Sequence, residues 1–402
     1  MTVSTIDDTY QLHEDLFKDY NRNVRPIYDQ HKSMNVNVAM FLMSIHDFDE
    51  VNERFSFSAA LQATWTDYKL KWNISEHNGL AFMTVSYQQV WVPELLLATP
   101  AGAEKSFGSP YDVIRVLYNG SMMWMPGNLI ESTCSVNVRN YPFDNQTCNI
   151  IFVSLGYRDT EVMINAMYSN IQTDVYSPNS QWDLYNSSVV ASTMTSKGVT
   201  AITFTLFLRR KPSLIVMNII MPHLLLSIVN IFVFVLAPES GERVGFCITT
   251  LLAIAVYMTI VSDLMPQNAE SIPLISYKLF ADLVTSALIV LCTIMNLTVY
   301  NKEDDKSVPR WLQCLCLNRR RRRRVEPSNS KDTSKITKDV KRSKELCSDK
   351  TFDKCSDQES EPHQVTWKEV SKALDRIAIV VFTILNFVNF FVYIGLAKYW
   401  KV

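Results

Sequence analysis

Four long apolar runs in the C-terminal half constrain this chain most. They fall at about Leu214–Leu236, Val244–Leu264, Tyr277–Tyr300 and Ile377–Tyr399. Each is near the ~20 residues a helix needs to cross a bilayer core ~30 Å thick. Within lipid every backbone N–H and C=O must be satisfied inside the segment, so these runs are expected as helices. Pro222 interrupts the first, which membrane helices tolerate when neighbours satisfy the freed carbonyl. Buried core helices of a soluble protein are the alternative, and four such lengths in one chain weigh against it.

Charge gives the orientation. The formal net charge of -1 conceals two opposed blocks. Residues 1–211 carry 21 acidic and 15 basic side chains, whereas residues 301–376 carry 14 acidic and 20 basic, including the run Arg319–Arg324. A basic run can bind nucleic acid, but beside a membrane span it marks the cytoplasmic side, and no nucleic-acid partner is expected. The 301–376 linker then lies inside and both termini lie outside. Its Lys/Ser/Asp-rich middle predicts partial disorder, with short helices at each end. Trp311-Leu-Gln-Cys-Leu-Cys-Leu suits an interfacial helix, and Trp367–Arg376 can continue into the fourth span. Cys314 and Cys316 are palmitoylation candidates or plain buried thiols.

The first 211 residues read as a soluble domain. Residues 9–22 have helical spacing, with Leu12, Leu16, Phe17 and Tyr20 on one face. Phe55-Ser-Phe57-Ser alternates, and Val36–Ile45 and Ala201–Leu208 are rich in β-branched or aromatic residues. Turn residues recur at intervals typical of an all-β sandwich. The expected plan is an extracellular β-sandwich with an N-terminal helix over 1–211 and three membrane helices over 212–300. The cytoplasmic linker over 301–376 and the fourth span with an extracellular tail over 377–402 follow.

Of eight cysteines, only Cys134 and Cys148 lie in this first domain. The sequons at Asn73, Asn119, Asn145 and Asn186 lie there too, so the pair reads as an extracellular disulfide and the asparagines as glycosylation candidates. A fifth sequon, at Asn296, sits inside an apolar run and is not expected to be glycosylated. Met1 runs directly into polar residues without a visible secretory leader, as expected of a mature chain. The extracellular part contains no nucleophile–base or metal constellation, so neither an enzyme nor a cofactor is expected.

Cys134-Ser-Val-Asn-Val-Arg-Asn-Tyr-Pro-Phe-Asp-Asn-Gln-Thr-Cys148 resembles the signature loop of the Cys-loop receptors, which are pentameric ligand-gated ion channels. Trp65-Thr-Asp-Tyr-Lys-Leu-Lys-Trp-Asn, Trp91-Val-Pro-Glu, Glu239-Ser-Gly-Glu-Arg, Leu264-Met-Pro and Ser271-Ile-Pro-Leu-Ile are similar to nicotinic acetylcholine receptor subunits. Only the cytoplasmic linker lacks a match. The resemblance implies a plasma-membrane, postsynaptic-type subunit joined by four others, as a homo- or heteropentamer. It implies a loop whose Pro142-Phe143 tip presses on the membrane domain, although the disulfide can simultaneously serve as a staple of the sandwich. It also implies an ion pair between Glu50 and Arg210, a contact of Pro273 with the loop tip, and a central pore lined by the second membrane helix. A solvated cluster is the alternative for the Arg209-Arg210-Lys211 charges.

Spacing tests that helix. Glu242, Gly245, Thr249, Leu252, Val256, Thr259 and Asp263 recur at intervals of three and four and share one face. In a five-fold ring, Leu252 and Val256 form a hydrophobic constriction that closes by dewetting. Rings of Glu239, Glu242 and Asp263 concentrate cations at the mouths. The alternative is a buried helix whose acids cap its ends. Anion-passing relatives carry an inserted small residue and no acid where this chain reads Ser240-Gly241-Glu242. Cation selectivity is therefore expected, for monovalent ions and with calcium as a further candidate.

The family's agonist site is an aromatic cage for ammonium ligands, held by cation–π attraction. Here the matching positions are Ala60, Ala98 and Leu155, and the capping loop reads Ser192-Thr-Met-Thr-Ser-Lys-Gly-Val199. The agonist is thus unassigned. A subunit that opens to a different ligand and a structural partner of cage-bearing subunits both fit.

Overall fold

In the computed structural model the described residues are 5–102, 107–194, 198–265, 272–303, 308–309, 312 and 365–399. Trp311, Cys314, Cys316, the Arg319–Arg324 run and residues 195–197 of the capping loop lie outside them. The chain divides into two compact units. One joins Met1–Pro222 to Tyr257–Leu279 and Tyr393–Val402, and the other comprises His223–Val256 and Phe280–Val392.

The first unit opens with α1 (Ile6–Phe17). It begins before the periodic stretch because Thr5 caps it. Thr5 Oγ1 accepts from the Asp8 N–H at 3.4 Å, and the Thr5 N–H donates to Asp8 Oδ2 at 2.7 Å. The bond from the Thr5 N–H, then those from the Thr5 hydroxyl and Asn78, hold the Asp8 carboxyl below its usual range. The reciprocal box satisfies two helix-end donors that would otherwise lack partners. Leu12 is buried, and Leu16, Phe17 and Tyr20 pack against the same core.

Two sheets follow. β1 (Met34–Asp49), β2 (Arg54–Thr66), β3 (Phe82–Ser86), β5 (Val113–Leu117), β6 (Ser121–Trp124), β7 (Gly127–Thr133) and β9 (Val162–Ala166) form a seven-stranded sheet. β4 (Leu96–Leu97), β8 (Asn145–Val153), β10 (Trp182–Met194) and β11 (Val199–Arg210) form a four-stranded one. β1 pairs antiparallel with β2 and parallel with β9, where Met34 opposes Val162. The period of two decides what is buried. Phe55 and Phe57 of β2 are buried while Ser56 and Ser58 remain partly exposed. From the other sheet, Phe152, Phe204, Leu206 and Leu208 enter the same core. Phe48 and Trp182 meet edge to face at 5.1 Å, a geometry aromatic pairs prefer.

After β11 come α2 (Ser213–Ile215), a π-helical turn at Val216–Ile220, α3 (Met221–Ile231) and a 3-10 turn at Phe232–Phe234. The widened turn directly precedes Pro222, whose ring would clash with the carbonyl one turn back and which has no N–H to donate to it. Long helices follow at α4 (Arg243–Asp263), α5 (Leu274–Tyr300) and α6 (Trp367–Tyr399). Among the described residues, four helical stretches, Ser213–Phe234, Arg243–Asp263, Leu274–Tyr300 and Trp367–Leu396, are long and apolar enough to cross a membrane. The expected short helix at Trp367–Arg376 and the fourth span are one continuous helix.

Polar side chains tie the second unit together. His223 Nε2 lies 2.7 Å from Asp282 Oδ2, and Asn389 donates to the other carboxylate oxygen. Asn230 donates to Ser286 Oγ at 2.9 Å and accepts from Thr250 Oγ1 at 2.9 Å. Lipid offers no hydrophobic drive between helices, so polar contacts of this kind help set their packing.

Candidate functional site

At the end of β11, Arg210 is the hub of a buried cluster. Its Nε donates to Asp144 Oδ1 at 2.8 Å, and its Nη2 reaches Asp144 Oδ2 at 3.2 Å and Glu50 Oε1 at 2.6 Å. The guanidinium also lies over Trp182 at 4.2 Å and over Tyr141 at 5.0 Å. Burial works against the charge, yet Asp144 and then Glu50 more than offset it and lift the Arg210 pKa above its ordinary value. Burial pushes the Tyr141 phenol up to about 12.

The closed loop itself is braced from within. Cys134 and Cys148 are joined in a disulfide. Gln146 Nε2 donates to Asp144 Oδ2 at 2.5 Å and to Asn137 O at 3.0 Å, while its Oε1 accepts from the Asn137 N–H at 3.0 Å. The Arg139 carbonyl then accepts from the Leu274 N–H at 2.9 Å, at the start of α5. Val138 and Tyr141 enter one apolar cluster with Val261, Met265, Ile275, Leu279 and Tyr393.

Glu50 and Arg210 are thus in contact. Pro142 and Pro273 are both buried, but Phe143 is 41% exposed. The loop residues inside the apolar cluster are Val138 and Tyr141. Sequence spacing does not tie Asp144 or Trp182 to the ion pair. Asp144 belongs to the loop motif, and no local pattern marks Trp182 as lying over a cation.

On α4 the expected face is uniform. Gly245, Thr249, Leu252, Val256, Thr259 and Asp263 are all exposed in the single chain, as is Glu242 just before the helix. Leu252 is 64% exposed. Arg243, Cys247, Thr250, Ile254 and Val261 are buried on the other side. Gly241 precedes the helix with φ at +73°, a left-handed conformation that glycine adopts without a Cβ penalty. Glu239 accepts a hydrogen bond from the Tyr300 hydroxyl at 2.5 Å, a partner on α5 that spacing along α4 could not indicate.

The residues matched to the cage by resemblance are all non-aromatic. Ala60 is 2% exposed within β2, Ala98 lies in the loop after β4, and Leu155 after β8 is 60% exposed. Three aromatics of the sandwich bond to one another. Trp91 Nε1 donates to the Tyr157 hydroxyl at 3.0 Å, and Trp91 meets Trp65 edge to face at 6.0 Å. Asn73, Asn119, Asn145 and Asn186 are exposed, whereas Asn296 is buried. Among the described residues, no group of three or more His, Cys, Asp or Glu could hold a metal ion.

Residues 9–212 match the neurotransmitter-gated ion-channel ligand binding domain, and residues 219–365 match the neurotransmitter-gated ion-channel transmembrane region. The chain is 28% identical over 321 residues to neuronal acetylcholine receptor subunit alpha-3 of Bos taurus, covering 79% of this chain and 65% of that protein. It is 31% identical over 323 residues to acetylcholine receptor subunit beta of Xenopus laevis, covering 77% of this chain and 66% of that protein. The matched region thus spans slightly less than two thirds of either relative's length. The two family matches run almost end to end across the sandwich, the closed loop and the first three helices, and the chain belongs to the neurotransmitter-gated ion-channel family.

Proposed function

We propose that this chain is a subunit of a pentameric ligand-gated cation channel of the plasma membrane, with α4 lining the pore. The observation that carries the reading is the shared exposure of Glu242, Gly245, Thr249, Leu252, Val256, Thr259 and Asp263 along one helix face. Lipid or a fifth of a water-filled pore can meet such a face. Acids at both ends and threonines between them favour water, because unpaired intramembrane carboxylates are costly in hydrocarbon. Leu252 and Val256 then form the constriction, and Glu239, Glu242 and Asp263 the charged rings.

Gating is read from the Arg210 cluster. Glu50, Asp144 and Arg210 fasten the turn after β1, the closed loop and β11 together. Pro142, Phe143 and Pro273 complete the coupling region by resemblance. A rearrangement of the sandwich would therefore reach the start of α5 through Arg139 and Leu274. The bound ligand is not a small ammonium compound, since Ala60, Ala98 and Leu155 offer no cation–π surface. The same three residues favour a second reading, in which the chain is a structural partner within a heteropentamer of cage-bearing subunits.

Reversal potentials in asymmetric sodium, potassium and chloride solutions test selectivity. The expected reversal follows the cations, with calcium permeability measured alongside. Reversal that tracks chloride overturns the cation reading. Currents from the chain expressed alone, against currents only on co-expression, decide between the two readings of its role.

A further inference from the structure

α4 carries one basic side chain, Arg243, directly beside Glu242. Five such charges at a pore mouth would oppose cation entry. Arg243, however, is 2% exposed and turned into its own subunit. Its Nη1 and Nη2 donate to the two oxygens of Asp375 at 3.0 and 2.9 Å, the two-point geometry that suits guanidinium and carboxylate. Its Nε donates to Leu236 O at 2.7 Å, and its Nη2 lies 3.4 Å from Phe234 O. Those carbonyls close the first span, where a helix leaves its last acceptors unsatisfied. Asn296 of α5 completes the arrangement by donating to Asp375 Oδ1 at 2.6 Å and to Ser371 O at 3.3 Å.

We propose that Asp375 is a specificity-determining positioning residue: by pairing with Arg243 inside the subunit, it keeps the one basic side chain of α4 off the face that carries Glu242 and Gly245, and so out of the ion path. The inference rests on α4 lining the pore. A guanidinium does not lose its proton at any physiological pH, so its charge can be hidden only by position and by a fixed partner. Asp375 lies on α6, away from the proposed pore helix in sequence, and supplies that partner. A lysine at position 243 would lack the planar fork that reaches both carboxylate oxygens and two carbonyls together.

The test uses the full chain in the Leu252→Thr background, with cation and chloride permeability as readouts. Asp375→Asn should free the guanidinium, lower inward single-channel conductance on the order of three-fold and raise relative chloride permeability. The double variant Arg243→Gln with Asp375→Asn removes both charges and should return both quantities to the background values. A merely structural role for the pair would lower folding or expression but would not raise relative chloride permeability in Asp375→Asn. Unchanged conductance and selectivity in Asp375→Asn overturn the proposal. If Asp375→Asn alone fails to reach the surface, cysteine labelling decides, and loss in both variants overturns the proposal.

Cysteine labelling decides the case if the background carries no current. Native free cysteines are replaced by serine, and a charged thiol reagent is applied from the cytoplasmic side. Modification of Glu242→Cys and Gly245→Cys with protection of Arg243→Cys supports the proposal, while modification of Arg243→Cys overturns it. Protection of Glu242→Cys and Gly245→Cys shows instead that the pore-helix reading has failed, and the proposal falls with it.

Discussion

Arg210 and Asp144 face each other in a two-point contact, Nε to Oδ1 at 2.8 Å and Nη2 to Oδ2 at 3.2 Å, although 66 residues separate them. Glu50 joins from a more open position, its side chain 21% exposed against 1% for Asp144. The two carboxylates therefore differ in what they contribute. Asp144 without its cation would be a buried charge, whereas Glu50 could turn to water.

Arg210→Gln should accordingly destabilise the first unit by about 3–5 kcal/mol, the usual cost of removing one partner of a buried pair. Glu50→Gln should cost less, because Arg210 keeps Asp144 as its buried partner. Unfolding curves of the purified variants give the order, and a larger loss for Glu50→Gln would refute this division. Glu50→Gln should instead show itself in gating.

Removing the disulfide by Cys134→Ser with Cys148→Ser opens a closed loop whose ends lie 14 residues apart. The expected loss is about 3 kcal/mol, mostly through the larger freedom of the unfolded chain. Surface expression and thermal unfolding under non-reducing conditions would measure it.

Leu252→Thr should wet the proposed constriction and give leak current without any ligand. In that background Glu242→Gln should lower cation conductance more than Glu239→Gln, because Glu239 is already engaged by Tyr300. Equal effects, or a larger one at Glu239, would show that the two acids are wrongly ranked. A silent but surface-expressed Leu252→Thr would count against the helix register or against opening without partner subunits.

The cage positions lead to a ligand prediction. Acetylcholine, nicotine and serotonin should show no saturable binding at micromolar levels, since weak dispersion alone replaces the aromatic faces. Thermal shift of the purified assembly against chemically varied ligands is the measurement. Stabilisation by a small ammonium compound, lost on substitution around Leu155, would show that Ala60, Ala98 and Leu155 do not mark the ligand site.

Much of this architecture was legible in the sequence because its signals are local. Four apolar runs gave the spans, a period of two gave Phe55 and Phe57, and a single loop motif gave the family. What escaped was partner choice between distant segments. Arg243 and Asp375 lie 132 residues apart, and His223 and Asp282 lie 59 apart, so no periodicity links them. The loop tip escaped for another reason. Its sequence highlights Pro142 and Phe143, whereas packing brings Val138 and Tyr141 into the apolar cluster. The cap on α1 was missed because Thr5 uses an aspartate, where the usual signature has glutamate or glutamine.

The parallel pairing of β1 with β9 sets a clock on biosynthesis. Met34 cannot meet Val162 until the ribosome has released both, and at ~5–20 residues per second that interval lasts roughly 6–26 s. During it, Val36, Val38, Met40 and Leu42 belong to a strand with one edge open, and open strand edges are templates for mispairing. A nascent chain arrested before β9 should therefore remain bound to chaperones in the secretory lumen, and one arrested beyond it should begin to let go.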